Sequence, residues 1–207
     1  EKRRFKLFTF SRLMGEKSHM DRANKKLTLV PPLQLVICSP IPFIMQELGT
    51  GFLRQGRVRI GPAWLTVKEI ATAQPRVETD RIQVRMLSPM AVYSTLPSVN
   101  GRKYTYYYSP FEPRFVELIS ANLIKKHYLI HGGPPLSELF SIKPIRVTDA
   151  DHKITSYKGF TIKGWMGTYE LQGDPALLQI ALTAGLGAKN PQGYGCCLME
   201  EQEKLTN

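Results

Sequence analysis

The stretch with the clearest potential for chemistry is GLGAKNPQGYG at residues 185–195, where two G-x-G pairs flank five residues. Glycine adopts a positive φ without steric cost, and it lets another backbone approach closely. The predicted tip carries Lys189, Asn190 and Gln192, which offer a cation and two amide groups to a phosphate or a base edge. The alternative is a glycine-capped connection between a helix and a strand.

Four histidines are candidates for proton transfer, because imidazole titrates near neutrality. His19 lies in a charged segment from which it could reach a substrate. His127 and His131 have the i, i+4 spacing of metal ligands on a helix, but no third ligand is evident, so capping or exposure is favoured. His152 follows two aspartates in a predicted turn. No metal-nuclease motif is present, and neither a metal nor a cofactor is predicted.

The charge distribution points to a polyanionic partner. Lys and Arg outnumber Asp and Glu by 28 to 17, and residues 1–26 contain nine basic and three acidic side chains. The cations expected to neutralise phosphates are Arg3, Arg4, Arg12 and Lys25, with Lys2, Lys6, Arg22 and Lys26 in support. Each neutralised single-strand phosphate steepens the log-log salt dependence by roughly 0.7. A plain solvated charged end is the alternative.

The sequence predicts a cytoplasmic protein without a membrane-spanning segment. Residues 27–45 are uncharged, but Pro31, Pro32, Pro40 and Pro42 are incompatible with one spanning helix. The start EKRRFKLF lacks a secretory signal. Three cysteines without metal-ligand spacing predict buried thiols rather than disulfides.

The order of elements predicts an α+β fold. Residues 5–13 read as a strand that is apolar on both faces and therefore central in a sheet, followed by a polar hairpin loop, a proline-bent strand at 27–39, a helix from Pro42 and extended chain at 57–73. The second half reads as strand 81–93, an aromatic strand, helix 113–129, strands near 142–147 and 160–170, helix 174–183 and a last strand. This β-α-β-β-α-β order is ferredoxin-like.

The first half has the same order without its first strand and helix. A polar proline segment at 74–79 separates the halves and predicts domains at 1–76 and 77–207. The fold class is therefore α+β, two tandem ferredoxin-like (RRM-like) domains, the first lacking its initial strand and helix.

The sequence resembles the repeat-processing endoribonucleases of CRISPR systems. The resemblance rests on the two G-h-G pairs around Lys189 (h being apolar), on FKLFTFSRL at 5–13, on LSPMAV at 87–92 and on PPLSEL at 134–139, in that family's order. It implies tandem ferredoxin-like domains that bind a CRISPR repeat in precursor RNA and cut it without a metal. The ribose 2′-OH attacks the scissile phosphate and leaves a 2′,3′-cyclic phosphate and a 5′-OH.

The resemblance implies that Lys6 stabilises the charged transition state, with a solvent-facing strand lysine as the alternative. It also implies RNA contacts from Gly185, Gly187, Gly193 and Gly195 together with the loop tip. The family places its histidine a few residues before this lysine, where only EKRRF is present. We therefore expect the general base upstream of Glu1, and His19 is the remaining candidate within the chain.

Two other functions remain open at this point. One is a repeat-binding protein that does not cut, and the other is an RNA-binding subunit of a CRISPR effector complex. The expected partner is repeat RNA in each case, and the sequence leaves monomer and homodimer open.

Overall fold

The computed structural model describes residues 6–16, 18–21, 23–24, 26–97 and 100–200. Its first part consists of short strands and one helix. In chain order these are β1 (Thr9–Phe10), β2 (Met14–Gly15), β3 (Ser18–Asp21), β4 (Lys26–Leu29), β5 (Leu33–Gln34), β6 (Ile37–Cys38), α1 (Pro42–Gln55), β7 (Arg57–Ile60) and β8 (Ala63–Thr66). The strands pair antiparallel in twos, as β1 with β6, β2 with β5, β3 with β4 and β7 with β8.

The second part has longer elements. They are β9 (Arg81–Met86), β10 (Tyr93–Pro97), β11 (Lys103–Tyr107), α2 (Pro113–His131), β12 (Phe140–Arg146), β13 (His152–Tyr157), β14 (Phe160–Trp165), β15 (Thr168–Gly173), α3 (Pro175–Ala184) and β16 (Cys197–Met199). Proline at the first position of α2 and of α3 fixes φ where no amide partner is needed. Asp174 caps α3 by accepting from the Ala176 amide at 2.8 Å.

One antiparallel sheet organises this second part. Its strand order is β12-β15-β9-β16, so the two central strands come from opposite ends of the segment. Helix α2 packs on β12, and α3 packs on α2, β15 and β16. This is the ferredoxin-like arrangement, with hairpins β10–β11 and β13–β14 inserted into it.

The apolar core belongs to the second part. Every buried hydrophobic side chain lies between Ile82 and Cys197, and α2 contributes Phe115, Ile119 and Leu123 at helical spacing. Among the described residues before Ile82, only Thr9 and Ser11 are buried. The first part therefore contacts the second mainly through β1 and β6, and among the described residues it adds no buried side chain to the apolar core.

The sequence prediction of a central strand at 5–13 is wrong in extent and position. Among the described residues 6–13, only Thr9–Phe10 forms a strand, and it pairs on one side, with β6. The backbone beyond it finds other partners, since Ser11 N donates to Val36 O at 2.8 Å and Arg12 N to Leu87 O at 3.0 Å. Of the apolar side chains in this segment, Phe10 packs on Gly193 of the second part.

Two further strand predictions need correction. The single strand at 160–170 is two strands, β14 and β15, because Gly167 with φ of +102° turns the chain between them. The extended region 57–73 is a hairpin, β7–β8, followed by irregular chain.

The segment between β8 and β9 contains neither helix nor strand and is pinned to α3. Gln179 Nε2 donates to Pro75 O at 2.9 Å, and Gln179 Oε1 accepts from Val77 N at 3.0 Å. A domain boundary at 76/77 stays a prediction. None of the helices in the described part of the chain has the length and apolar character to cross a membrane.

Candidate nucleic-acid interface

The glycine loop, residues 185–195, leaves the end of α3 and leads into β16. Its two ends lie against each other, because Leu186 N donates to Gly195 O at 2.9 Å. A Cβ on Gly195 would lie 2.0 Å from Leu186 O, and the φ of Gly195 is +75°. Only glycine fits there, and the group that crowds it is the protein's own backbone.

Asn190 holds the inside of the glycine loop together. It is 5% exposed, and its Nδ2 donates to Leu186 O at 3.1 Å and to Tyr194 O at 3.0 Å. Its Oδ1 accepts from Lys126 Nζ at 2.9 Å. The expectation that Asn190 offers its amide to RNA is therefore corrected, because both polar ends of the side chain are already used inside the protein.

Lys126, in α2, is a residue of this site that the sequence analysis missed. Its ammonium also donates to Gly185 O at 2.6 Å and lies 3.4 Å from Ala184 O, and the residue is 2% exposed. Burial lowers the pKa of Lys126 to about 7. The signal was present in the sequence, since Lys126 continues the buried stripe of Phe115, Ile119 and Leu123.

Strand β1 packs on the glycine loop. Thr9 Oγ1 donates to Tyr194 O at 3.0 Å, and a Cβ on Gly193 would lie 2.7 Å from the Phe10 ring. Lys6 precedes this strand by three residues and is exposed. The structure therefore brings the lysine segment of the sequence prediction to the glycine loop, although 185 residues separate Thr9 from Tyr194.

The outer side of the glycine loop carries Lys189 and Gln192. Gln192 is exposed, whereas Lys189 is half-buried and has a φ of +62°, which is uncommon for a residue with a side chain. Lys189 Nζ lies 5.2 Å from the centroid of the Tyr93 ring, within the range of a cation–π contact. Tyr93 thus holds the loop cation at the surface, beside Tyr107, whose ring centroid is 5.4 Å away.

A groove of about 320 Å³ runs between the first part and the central sheet. Arg12 lines it from the segment after β1, Arg85 from β9 and Lys153 from β13, with Asp151 as an acidic neighbour. Arg12 is exposed, and Arg85 Nε lies 3.7 Å from Glu200. The groove gathers cations from three elements, so it suits an anionic chain.

The histidines lie at three places, because His127 and His131 are neighbours with ring centroids 4.5 Å apart. His19 is exposed on β3, opposite Thr28 of β4, and no described hydrogen bond joins it to Lys6 or to the glycine loop. His127 Nδ1 lies 2.9 Å from Gly133 O just beyond α2, a capping contact of the kind favoured from the sequence. His152 stacks on Trp165 at 4.8 Å between ring centroids. Arg3, Arg4 and Lys25 lie outside the described residues.

Comparison with known families covers both parts of the chain. Residues 1–71 match the family model of CRISPR-associated protein Cas6, N-terminal, and residues 72–199 match that of CRISPR associated protein Cas6, C-terminal. The chain belongs to the Cas6 family of CRISPR-associated proteins.

A curated protein aligns with nearly the whole chain. The chain is 24% identical over 208 residues to CRISPR-associated endoribonuclease Cas6 1 of Methanocaldococcus jannaschii, covering 99% of this chain and 78% of the relative.

Solved structures share the fold. A Cas6-related protein from Pyrococcus furiosus superposes with a TM-score of 0.85 at 18% identity, covering 95% of this chain and 79% of the other. A protein described as a RAMP protein binding different RNA substrates gives 0.81 at 18% identity, covering 94% of this chain and 80% of the other. The predicted fold class, α+β with tandem ferredoxin-like domains, is confirmed by these comparisons.

Proposed function

We propose that this chain is an endoribonuclease that cuts CRISPR repeat RNA without a metal ion. Membership of the Cas6 family supports the substrate class, and the related Methanocaldococcus jannaschii protein is named an endoribonuclease. The observation that supports the proposal is the packing of β1, which begins three residues after Lys6, on the glycine loop that contains Lys189.

In this reaction the 2′-oxygen of the nucleotide before the cut attacks phosphorus. The P–O5′ bond breaks, the 2′-OH proton goes to a base, and the departing 5′-oxygen receives a proton. The products are a 2′,3′-cyclic phosphate and a 5′-OH. Negative charge grows on the phosphorane oxygens, and an exposed ammonium such as that of Lys6 stabilises it. His19 is the candidate base within the described residues, and we expect its imidazole to move toward the RNA on binding.

RNA phosphates follow two cationic surfaces in this proposal. One is the outer side of the glycine loop, with Lys189 and Gln192, and the other is the groove with Arg12, Arg85 and Lys153. Arg3, Arg4 and Lys25, which lie outside the described residues, are further cations that we expect to bind RNA phosphates. The buried glycines of the loop contribute through backbone shape.

A second candidate is a protein that binds RNA without cutting it. The likeness to the fold of a RAMP protein described as binding different RNA substrates favours it. Such a protein could also serve as a subunit of a CRISPR effector complex, where it would hold guide RNA of any sequence.

The test uses the full chain and an end-labelled repeat RNA transcribed from a CRISPR array of the same genome, in EDTA. A discrete product whose 3′ end resists phosphatase until acid opens the cyclic phosphate supports the endoribonuclease. A gel shift without product supports the binding protein. Equal binding of a scrambled repeat points to the effector subunit.

A further inference from the structure

The buried ammonium of Lys126 meets three oxygen acceptors. These are Ala184 O and Gly185 O at the end of α3, and Asn190 Oδ1 inside the glycine loop, at 3.4, 2.6 and 2.9 Å from Nζ. An ammonium has three N–H donors, so donors and acceptors match in number. Lys126 thereby ties the first glycine of the loop to the side chain that closes its far end.

The contacts of Lys126 have no partner carboxylate among the described residues. Burying an unpaired charge is expensive, and an apolar side chain would fill the position at lower cost. The offsetting groups are the carbonyls at the C-terminal end of α3, which carries a partial negative charge. The advantage of a lysine over an apolar side chain here is that its hydrogen bonds fix the shape of the loop.

We propose that Lys126 is a positioning residue for RNA binding, which holds the glycine loop through Gly185 and Asn190 in the shape that presents Lys189 and Gln192. The proposal rests on the proposed function, because it assumes that the outer side of the loop binds RNA. Lys126 itself is 2% exposed, so its effect on RNA passes through the loop.

The protonation of Lys126 predicts a pH dependence of the loop that packing alone would not produce. Burial lowers its pKa to about 7, and the neighbouring thiol of Cys197 on β16 opposes this shift. Cys197 is the titratable group that faces Lys126 from β16, while α3 and the loop present carbonyl and amide oxygens. A neutral amine has two N–H donors for three acceptors, so one loop contact is lost at higher pH.

The test compares the wild type, Lys126→Met and Lys125→Met as full chains. Lys125 is the adjacent, exposed lysine of the same helix, so its variant removes the same charge without touching the loop. Affinity for the labelled repeat RNA is measured by fluorescence anisotropy from pH 6 to 8.5. Amide hydrogen exchange, corrected for intrinsic rate, reports on Leu186, Gly193 and Gly195, whose amides bond within the site.

We expect Lys126→Met to weaken RNA binding by roughly tenfold or more and to lose protection at the loop amides, while Lys125→Met changes affinity by about twofold. Wild-type affinity should fall by roughly fivefold across the pH range, the change expected for one lost hydrogen bond. The RNA affinity of Lys126→Met should not show this fall with pH.

Loop exchange in Lys126→Met equal to that in Lys125→Met would overturn the positioning role, whatever the RNA result. Absence of RNA binding by the wild type would instead overturn the proposed function and the RNA part of this proposal. If Lys126→Met fails to fold, the wild-type chain still decides, because loop protection that is independent of pH between 6 and 8.5 contradicts the role assigned to the ammonium.

Discussion

The inner and outer sides of the glycine loop differ in what they contact. The inner side, with Gly185, Asn190 and Gly195, is buried and bonded to Lys126 and to the loop's own backbone. The outer side, with Lys189 and Gln192, is accessible. The glycine-rich segment therefore has two roles. Its glycines allow close packing within the protein, and Lys189 and Gln192 remain available to a ligand.

Replacing an inner glycine should have the largest effect on the molecule. Gly195→Ala combines a disfavoured positive φ with a 2.0 Å approach to Leu186 O, and should cost about 3 to 5 kcal/mol in the free energy of unfolding. Gly132→Ala is the matched control, since Gly132 has the same φ of +75° but open space, and should cost roughly 1 to 2 kcal/mol. Urea denaturation of both variants measures the difference, and equal losses would show that crowding is unimportant.

Removing the Lys6 ammonium should slow RNA cleavage without affecting the inner side. We expect Lys6→Ala to reduce the single-turnover rate at least about tenfold, with affinity within a fewfold, because the contact strengthens only in the transition state. Arg59→Ala, on exposed β7, serves as the matched cation control. An unchanged rate with saturating enzyme would remove Lys6 from the mechanism.

The global stability of the protein should depend on pH with a defined sign, because Lys126 is buried. The pKa of Lys126 is about 7 in the folded protein against 10.5 as its ordinary value, so the unfolded chain binds more protons between these limits. The free energy of unfolding should therefore rise with pH for the wild type relative to Lys126→Met, by up to about 1.4 kcal/mol per pH unit. Denaturation at about pH 6.5, 7.5 and 8.5, which covers the lower part of this window, measures it, and parallel curves for both proteins would contradict the buried charge.

Changing the outer side should give the smallest effect. Lys189→Ala is expected to weaken repeat-RNA binding a fewfold and to reduce the salt slope by roughly 0.7, while loss of its contact with Tyr93 costs at most about 1 kcal/mol of stability. Lys143→Ala, an exposed lysine of β12, provides the control. Salt titrations of RNA binding give both numbers, and a slope identical to that of Lys143→Ala would return the loop to a structural role.

The second part of the molecule was largely predictable from sequence. The helices predicted at 113–129 and 174–183 correspond to α2 and α3, and the predicted order of elements corresponds to the ferredoxin-like sheet. These features depend on local periodicity and on caps, which a sequence displays directly.

The first part and the inner side of the loop were less predictable. Residues 5–13 have the alternating pattern of a strand. Their backbone amides nevertheless bond to single carbonyls such as Val36 O and Leu87 O, which hydrophobic periodicity does not predict. Asn190 looked like a ligand-binding amide because its partner Lys126 is 64 residues away in sequence. Contacts of this kind are set by tertiary structure.

The hydrogen bond from Thr9 to Tyr194 links residues 185 positions apart. Such a contact forms only after the residues between them have been synthesised, and closing so long a loop is a slow step in folding. An incomplete nascent chain that stops before Tyr194 lacks the junction between β1 and the glycine loop. The two halves of this interface are therefore synthesised far apart in time, and neither half forms the surface alone.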